Sequence, residues 1–438
     1  MNKFISTIKN IFSIEDLRVR ILNTVGFLLI FRIGSYVVLP GVDPTLLVKN
    51  KGGIFGLLDT FLGGAFSNAS IFGLGIMPYI SASIVLQLLT VAFPYFQKLQ
   101  KEGESGRNKI NQYTRILTIV ITAFQSIGYI AGTIEKDAII MDNLYLFNIS
   151  SVIILTSGTM LCMWIGERIT EKGIGNGISM LIMVGIVSRF PSALISEAYL
   201  RDINGLLVFI FELIALFVVV MGVIMVTTAT RRIPVQYARQ VVGNKVYGGQ
   251  RQYIPLKLNS AGVMPIIFAQ SLMFLPAMVS SALSEKYAVA GYIQQAFGDY
   301  TSWQYNLLFV ILIILFTYFY TAISINPVQI ADDMKKNNSF VPGVKPGQPT
   351  SDFIDDVLSK ITLPGAIFLC AIAILPSFAS LAGVGGEFAQ FYGGTSLLIM
   401  IGVILDTLQQ IESYLLMKHY EGMMYSASLK SKAASVYA

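Results

Sequence analysis

Few side chains in this sequence could make or break a covalent bond. The one histidine, His419, lies near the C-terminus, and a single imidazole cannot assemble a zinc site. Cys162 and Cys370 sit in separate apolar runs, with no disulfide framework and no metal-ligand spacing. The glycine run 171–179, EKGIGNGIS, invites comparison with a phosphate-binding loop. No strand precedes it and no Gly-Lys-Ser/Thr follows, so it reads as a turn leading into a membrane helix. Neither a nucleophile–base set nor a nucleotide site can be traced. The sequence therefore predicts no catalytic residue, no metal and no cofactor, and a partner must supply the energy for any work.

What remains is apolar. The chain has 438 residues, 54% hydrophobic and 13% charged. Soluble domains carry about 25% charged residues, so this is a polytopic membrane protein. Runs long enough to span a bilayer fall near 21–39, 76–94, 114–132, 149–166, 177–196, 205–228, 262–282, 304–325, 361–380 and 395–416. Ahead of them, residues 1–17 place Phe4, Ile5, Ile8, Ile11 and Phe12 on one helical face, the pattern of an interfacial helix rather than a cleaved leader.

Ten spans with the N-terminus inside leave 24 Lys and Arg on inner segments against 6 on outer ones, with Arg32 inside the first span. The positive-inside rule then puts both termini in the cytoplasm. The outer loop 189–205 divides the spans into two fives, an N-terminal half over 1–200 and a C-terminal half over 201–438. An odd number per half makes the second half enter the membrane from the opposite side, and two such halves can pack as an inverted pair.

The stretch from Gly52 to Pro94 is the oddest. Its second part, Ile76 to Phe93, is a spanning helix by length, but its first part is broken by glycines at 52, 53, 56, 63, 64, 73 and 75. It also carries Asp59, Ser67, Asn68 and Ser70. Irregular backbone cannot face lipid, so this part is buried in protein or lines an aqueous cavity.

Several segments of the chain carry motifs of a known family. They are FRIGSYVVLPG (31–41), IFGLGIMPYISASIVLQLLT (71–90), KEGESG (101–106), EKGIGNGIS (171–179), YTAISINP (320–327), FVPGVKPG (340–347) and GGTSLL (393–398). In this order they resemble the SecY family of protein-conducting channels, of a bacterial type. The resemblance implies an all-α fold of ten transmembrane helices in two inverted five-helix halves around an hourglass pore, with a short plug helix and a cytoplasmic hairpin loop. It implies passage of unfolded secretory chains through the pore and sideways release of hydrophobic segments into lipid.

It also assigns residues. A ring of large apolar side chains that seals by excluding water falls on Ile76, Ile80, Ile178, Ile182, Ile267 and Ile399. The 76/80 and 178/182 pairs are spaced i, i+4, so each shares a helix face; on spacing alone they read as ordinary lipid-facing or core residues. The plug, about 54–72, carries Ile54, Phe55, Leu57, Leu58, Phe61, Leu62 and Phe66. Its glycines lower helix stability by up to about 1 kcal/mol each, which suits a segment that moves; an ordinary re-entrant loop reads as well from sequence. A lateral gate falls on Ser81 and Gln87 of the second helix and Asn259 and Gln270 of the seventh. Each of these serves equally as a packing hydrogen bond.

Two basic loops complete the picture, about 229–258 and 327–358. The first reads as strand-like pieces around Gly243-Asn244, a hairpin signal. Their basic groups set topology; the resemblance also makes Arg231, Arg232, Arg239, Arg251 and Lys345 a dock for ribosomal RNA phosphates and for the SecA motor ATPase. Lys345 departs from the pattern, standing where the best-known bacterial members have arginine; lysine keeps the charge and loses the planar fork. Further implied partners are the small membrane subunits SecE and SecG, preproteins with signal sequences, and lipid; the implied location is the bacterial inner membrane. The rival reading is an ion-coupled small-molecule transporter with inverted repeats. Such a protein needs clustered ionisable groups at mid-membrane, and Arg32, Glu212, Asp406 and Glu412 are scattered through their spans.

Overall fold

Long apolar segments satisfy their backbone in the only way an open chain can within lipid, as helices. The structure, a computed structural model, describes residues 14–47, 53–134, 136–201, 205–237, 240–242, 245–247, 251–283 and 296–436. Of these, the side chains of 53–55, 57, 136, 240–242, 245–247, 274–283 and 418–436 are left aside. The helices are α1 (Glu15–Gly34), α2 (Gly53–Phe61), α3 (Met77–Ala92), α4 (Pro94–Lys101), α5 (Glu104–Thr133), α6 (Leu144–Lys172), α7 (Gly177–Arg201) and α8 (Leu206–Thr228). After strands β1 (Thr230–Tyr237), β2 (Gln240–Val242), β3 (Lys245–Tyr247) and β4 (Arg251–Lys257) come α9 (Met264–Leu283), α10 (Trp303–Ser324) and α11 (Pro327–Lys336). Strand β5 (Ser339–Phe340), α12 (Gln348–Leu381), α13 (Gly386–Ala389) and α14 (Gly394–Val436) follow.

Each of the ten expected spans meets a helix. Seven of the described helical segments are long and apolar enough to cross a membrane, and the bent pair α3–α4 makes eight. The others are α1, which carries Glu15, Asp16, Arg18, Arg20 and Arg32, and α9, described as far as Leu283. Boundaries shift for local reasons. The first span ends at Gly34, not 39, because Val37 and Leu39 bond to the backbone of Ile71 and Ala69 instead. Pro94 ends α3 and opens α4 with a bend of 100°; the residue before it, Phe93, is extended, as a residue preceding proline prefers. The expected outer loop from residue 189 is instead helical as far as Arg201. The interfacial helix expected over 1–17 falls almost entirely outside the described residues.

The chain divides into two compact units, Met1–Asn50 with Leu58–Arg189 and Ile399–Ala438, and Lys51–Leu57 with Phe190–Leu398. In the first, α5 packs against α3, α4 and α6, and α6 against α1. Thr114, Thr118, Thr122 and Ser126 form a buried hydroxyl stripe on α5, each bonded to the carbonyl four residues back at 2.6–2.9 Å. Small side chains with satisfied hydroxyls let membrane helices approach closely.

In the second unit α10 packs between α9 and α12. Helix α8 has the most apolar window, and Leu207, Phe211, Phe217, Val218 and Met225 on it are exposed, a face suited to lipid. Here the two basic loops, read separately from sequence, form one body. Strand β1 lies between β4 and β5, antiparallel to both. Ile233, Val235 and Leu256 from the sheet pack with Met334 of α11, Val341, and Ile354 and Leu358 of α12. The hairpin is present: Val242 pairs with Lys245 across residues 243–244.

Candidate functional site

The glycine-broken segment is built by contacts that reach far along the chain. Helix α2 runs for nine residues and is followed by turns up to α3. Ser70 bridges to Val38, and Tyr129 of α5 donates its hydroxyl to the Phe66 carbonyl at 2.7 Å while its ring meets Phe66 edge-on. Phe72 stacks on Phe31 of α1. The expected plug side chains Leu58, Phe61, Leu62 and Phe66 are all buried. Ile54, Phe55 and Leu57 lie among the side chains left aside.

The glycines serve this packing. A Cβ on Gly185 of α7 would collide with the Phe61 carbonyl. Gly63 has φ +61°, and a Cβ there would press on Arg32, Ser188 and Gly185. Close approach accounts for Gly185 and a left-handed turn for Gly63, alongside any lowering of helix stability.

Charge enters at one point. Asp59 accepts from the Ser67 backbone N–H through Oδ1 at 2.9 Å and forms an ion pair with Arg189 of α7 through Oδ2. The same guanidinium reaches Ser67 Oγ at 3.3 Å. Arg32, from α1, donates to the Gly63 carbonyl at 2.7 Å and to Tyr36 Oη at 2.8 Å. Two arginines therefore grip residues 59–67. Sequence reading placed Arg189 in a loop and left Arg32 unpaired; only the 130-residue separation between Arg189 and Asp59 hid their partnership.

Three of the six ring candidates, Ile76, Ile80 and Ile182, line one small apolar cavity together with Phe31, Phe61, Leu62, Met77 and Leu181. Isoleucine, leucine and phenylalanine offer no hydrogen bonds, so the cavity favours neither water nor ions. Ile178 lies elsewhere, with its side chain over Gly166 of α6. Ile399 is buried in the same unit, and Ile267 is buried in the other.

The turn Gly173–Gly177 hands its backbone groups to protein side chains. Gly175 N–H donates to Gln410, Gly177 N–H to Thr170 and Ile174 N–H to Thr24, while Arg20 reaches the Gly173 carbonyl. Asn176 caps α7 through Ile178 and Ser179. It is a helix start, as expected.

Of the gate candidates, Ser81 donates to the Met77 carbonyl at 3.2 Å and Gln87 to Ser83 at 3.5 Å, each within its own helix. Asn259 donates to the Gly262 carbonyl at 2.9 Å. Gln270 lines a polar pocket within the second unit, with Tyr305, Asn306, Ser377 and Thr395. Among the docking candidates, Arg231, Arg232, Arg251 and Lys345 are exposed, and Arg239 lies outside the described residues.

A second ionic cluster was missed because its members were read singly. Arg201, at the end of α7, pairs with Glu197 at 3.1 Å and with Glu212 of α8, and donates to the Gly383 carbonyl at 2.7 Å. Glu197 accepts from Gly385 N–H at 2.9 Å, and Tyr392 donates to the Glu212 carbonyl at 2.6 Å. Glu212 is thus an anchored residue within an apolar helix.

Set beside known proteins, residues 70–408 match the SecY family. The protein translocase subunit SecY of Streptomyces scabiei is 42% identical over 94% of this chain and 98% of its own length. The chain belongs to the SecY family. A solved structure of a protein-conducting channel matches 90% of this SecY-family chain and 92% of its own, with TM-score 0.66 and 15% identity. Sec61 in the canine ribosome–channel complex from the endoplasmic reticulum matches over the same shares at TM-score 0.61 and 15% identity. At such low identity these likenesses establish the fold, which is that of the channels.

Proposed function

We propose that this chain is the channel subunit of a bacterial protein translocase, passing unfolded secretory chains across the inner membrane and releasing hydrophobic segments sideways into lipid. The observation that carries the reading is the shared cavity. Ile76, Ile80 and Ile182 meet Phe61 and Leu62 of the glycine-broken segment in one apolar space. A constriction and its stopper need that juxtaposition, since a seal works by leaving water no hydrogen-bonding wall. Ile178, Ile267 and Ile399 complete the ring in this proposal, and residues 54–72 are the plug.

The two halves, 1–200 and 201–438, form an inverted pair with both termini cytoplasmic. Helix α3 with Ser81 and Gln87, and α9 with Asn259 and Gln270, border the lateral gate. The exposed arginines of the β1–β4 layer and Lys345 dock a translating ribosome or SecA. Canine Sec61, of similar fold, is described in a ribosome–channel complex, which fits a ribosome as a partner. SecE and SecG are the expected membrane subunits. The chain does no catalysis of its own, and the motor or the ribosome supplies the energy.

Site-specific photo-crosslinking tests the reading. A probe at Ile182 is expected to capture a secretory precursor stalled in transit, and to lose it when the signal sequence is deleted. Transport of the precursor without adducts at Ile182 would overturn the pore assignment.

A further inference from the structure

Resting on the plug reading above, we infer that Asp59, Arg189 and Arg32 form an electrostatic latch that sets how readily the plug leaves. The apolar contacts of Leu58, Phe61, Leu62 and Phe66 give the plug its seal, but they are non-directional. Direction comes from the charged groups. Asp59 stands in the last turn of α2, where a cation is favoured by the carbonyl end of the helix. Arg189 supplies that cation and also reaches Ser67, eight residues beyond Asp59, so a single guanidinium closes both ends of the turn. Arg32 then pins Gly63 in the middle of it.

The latch is suited to release. The side chains of Arg189 and Asp59 are 34% and 14% exposed, so neither is fully enclosed by the chain. A carboxylate and a guanidinium that can rehydrate on parting cost far less to separate than a fully buried pair. The latch therefore biases the closed state without locking it. Glycines at 63 and 64 bring the backbone close enough for both arginines to grip it.

Asp59→Asn is the informative change. Asparagine keeps an oxygen for the Ser67 N–H and so preserves the turn, while the ionic attraction to Arg189 is lost. The full channel with its membrane partners, in planar bilayers without substrate, is expected to show several-fold higher resting ion conductance for Asp59→Asn and Arg189→Met. Arg189→Lys should restore most of the seal, and the exchanged pair Asp59→Arg with Arg189→Asp part of it. Amide exchange over residues 58–70 should quicken in the leaky variants alone. A plug deletion lacking residues 54–66 serves as the open reference. Conductance by the deletion but a wild-type seal and exchange in Asp59→Asn and Arg189→Met would overturn the latch and leave the channel standing. No conductance in any of them would overturn the channel reading, and the latch with it.

Discussion

Two ionic clusters, one in each unit, use the same chemistry to different ends. Arg189 and Asp59 tie one short segment to α7, and both side chains are partly exposed. Arg201 is set between two carboxylates, Glu197 at 2% and Glu212 at 7% side-chain exposure, and reaches backbone near Gly383 besides. With Gly385 and Tyr392 bonded to the same glutamates, the second cluster fastens α7, α8 and the 383–392 turn together. The depth at which the carboxylates are buried separates a catch from a rivet. In an apolar surrounding a charge is tolerated only when paired, so removing the shared arginine has very unequal consequences in the two places.

The largest expected effect follows directly. Arg201→Met strands two buried carboxylates and should destabilise the protein by about 3–5 kcal/mol, visible as lost thermal stability of the purified protein and early proteolysis. Arg189→Met should change stability by about 1 kcal/mol or less while raising the leak. Equal losses of stability would erase the distinction between the two clusters.

A steric change tests the catch from its other side. Gly185→Ala puts a methyl group against the Phe61 carbonyl, a backbone atom that cannot swing aside. The plug should be lifted at a cost of about 1–3 kcal/mol, with faster amide exchange over 58–66. Unchanged exchange would mean that α7 does not hold the plug at this point.

The ten spans were legible because lipid contact demands unbroken apolar length, and sequence displays that openly. Helix ends were not, because a helix continues past the bilayer wherever its backbone bonds stay satisfied. Helix α5 begins at Glu104 where the apolar run begins near 114, and α12 at Gln348 where the run begins near 361. The glycine segment was legible as something buried, and 76/80 as one face. The grip of Arg189 on Asp59 and the pairing of Gln236 with Phe340 were not. Both join residues more than a hundred positions apart, and no local propensity reports such a contact. Ile178 shows the converse: its i, i+4 spacing to Ile182 placed both on one face, yet only Ile182 reaches the cavity.

That divergence sharpens the ring. Ile80→Ser puts a hydroxyl into the cavity wall and should leak ions measurably in bilayers, whereas Ile178→Ser, over Gly166, should leak less. The reverse order would move the constriction toward α6.

The smallest effect on the fold is expected at an exposed loop side chain. Lys345 is exposed, and its backbone carbonyl accepts from Thr350 at 2.8 Å, so the side chain can change while the turn stays. Stability should move by less than about 0.5 kcal/mol in either direction for Lys345→Glu or Lys345→Arg. Function should separate them. Reversing the charge turns attraction for an acidic or phosphate-bearing partner into repulsion, so Lys345→Glu should abolish motor-driven translocation into inverted vesicles. Lys345→Arg restores a charge with a planar fork and should be tolerated. Normal transport by Lys345→Glu, with folding intact, would remove this loop from the docking surface and leave the arginines of β1 and β4 to carry it.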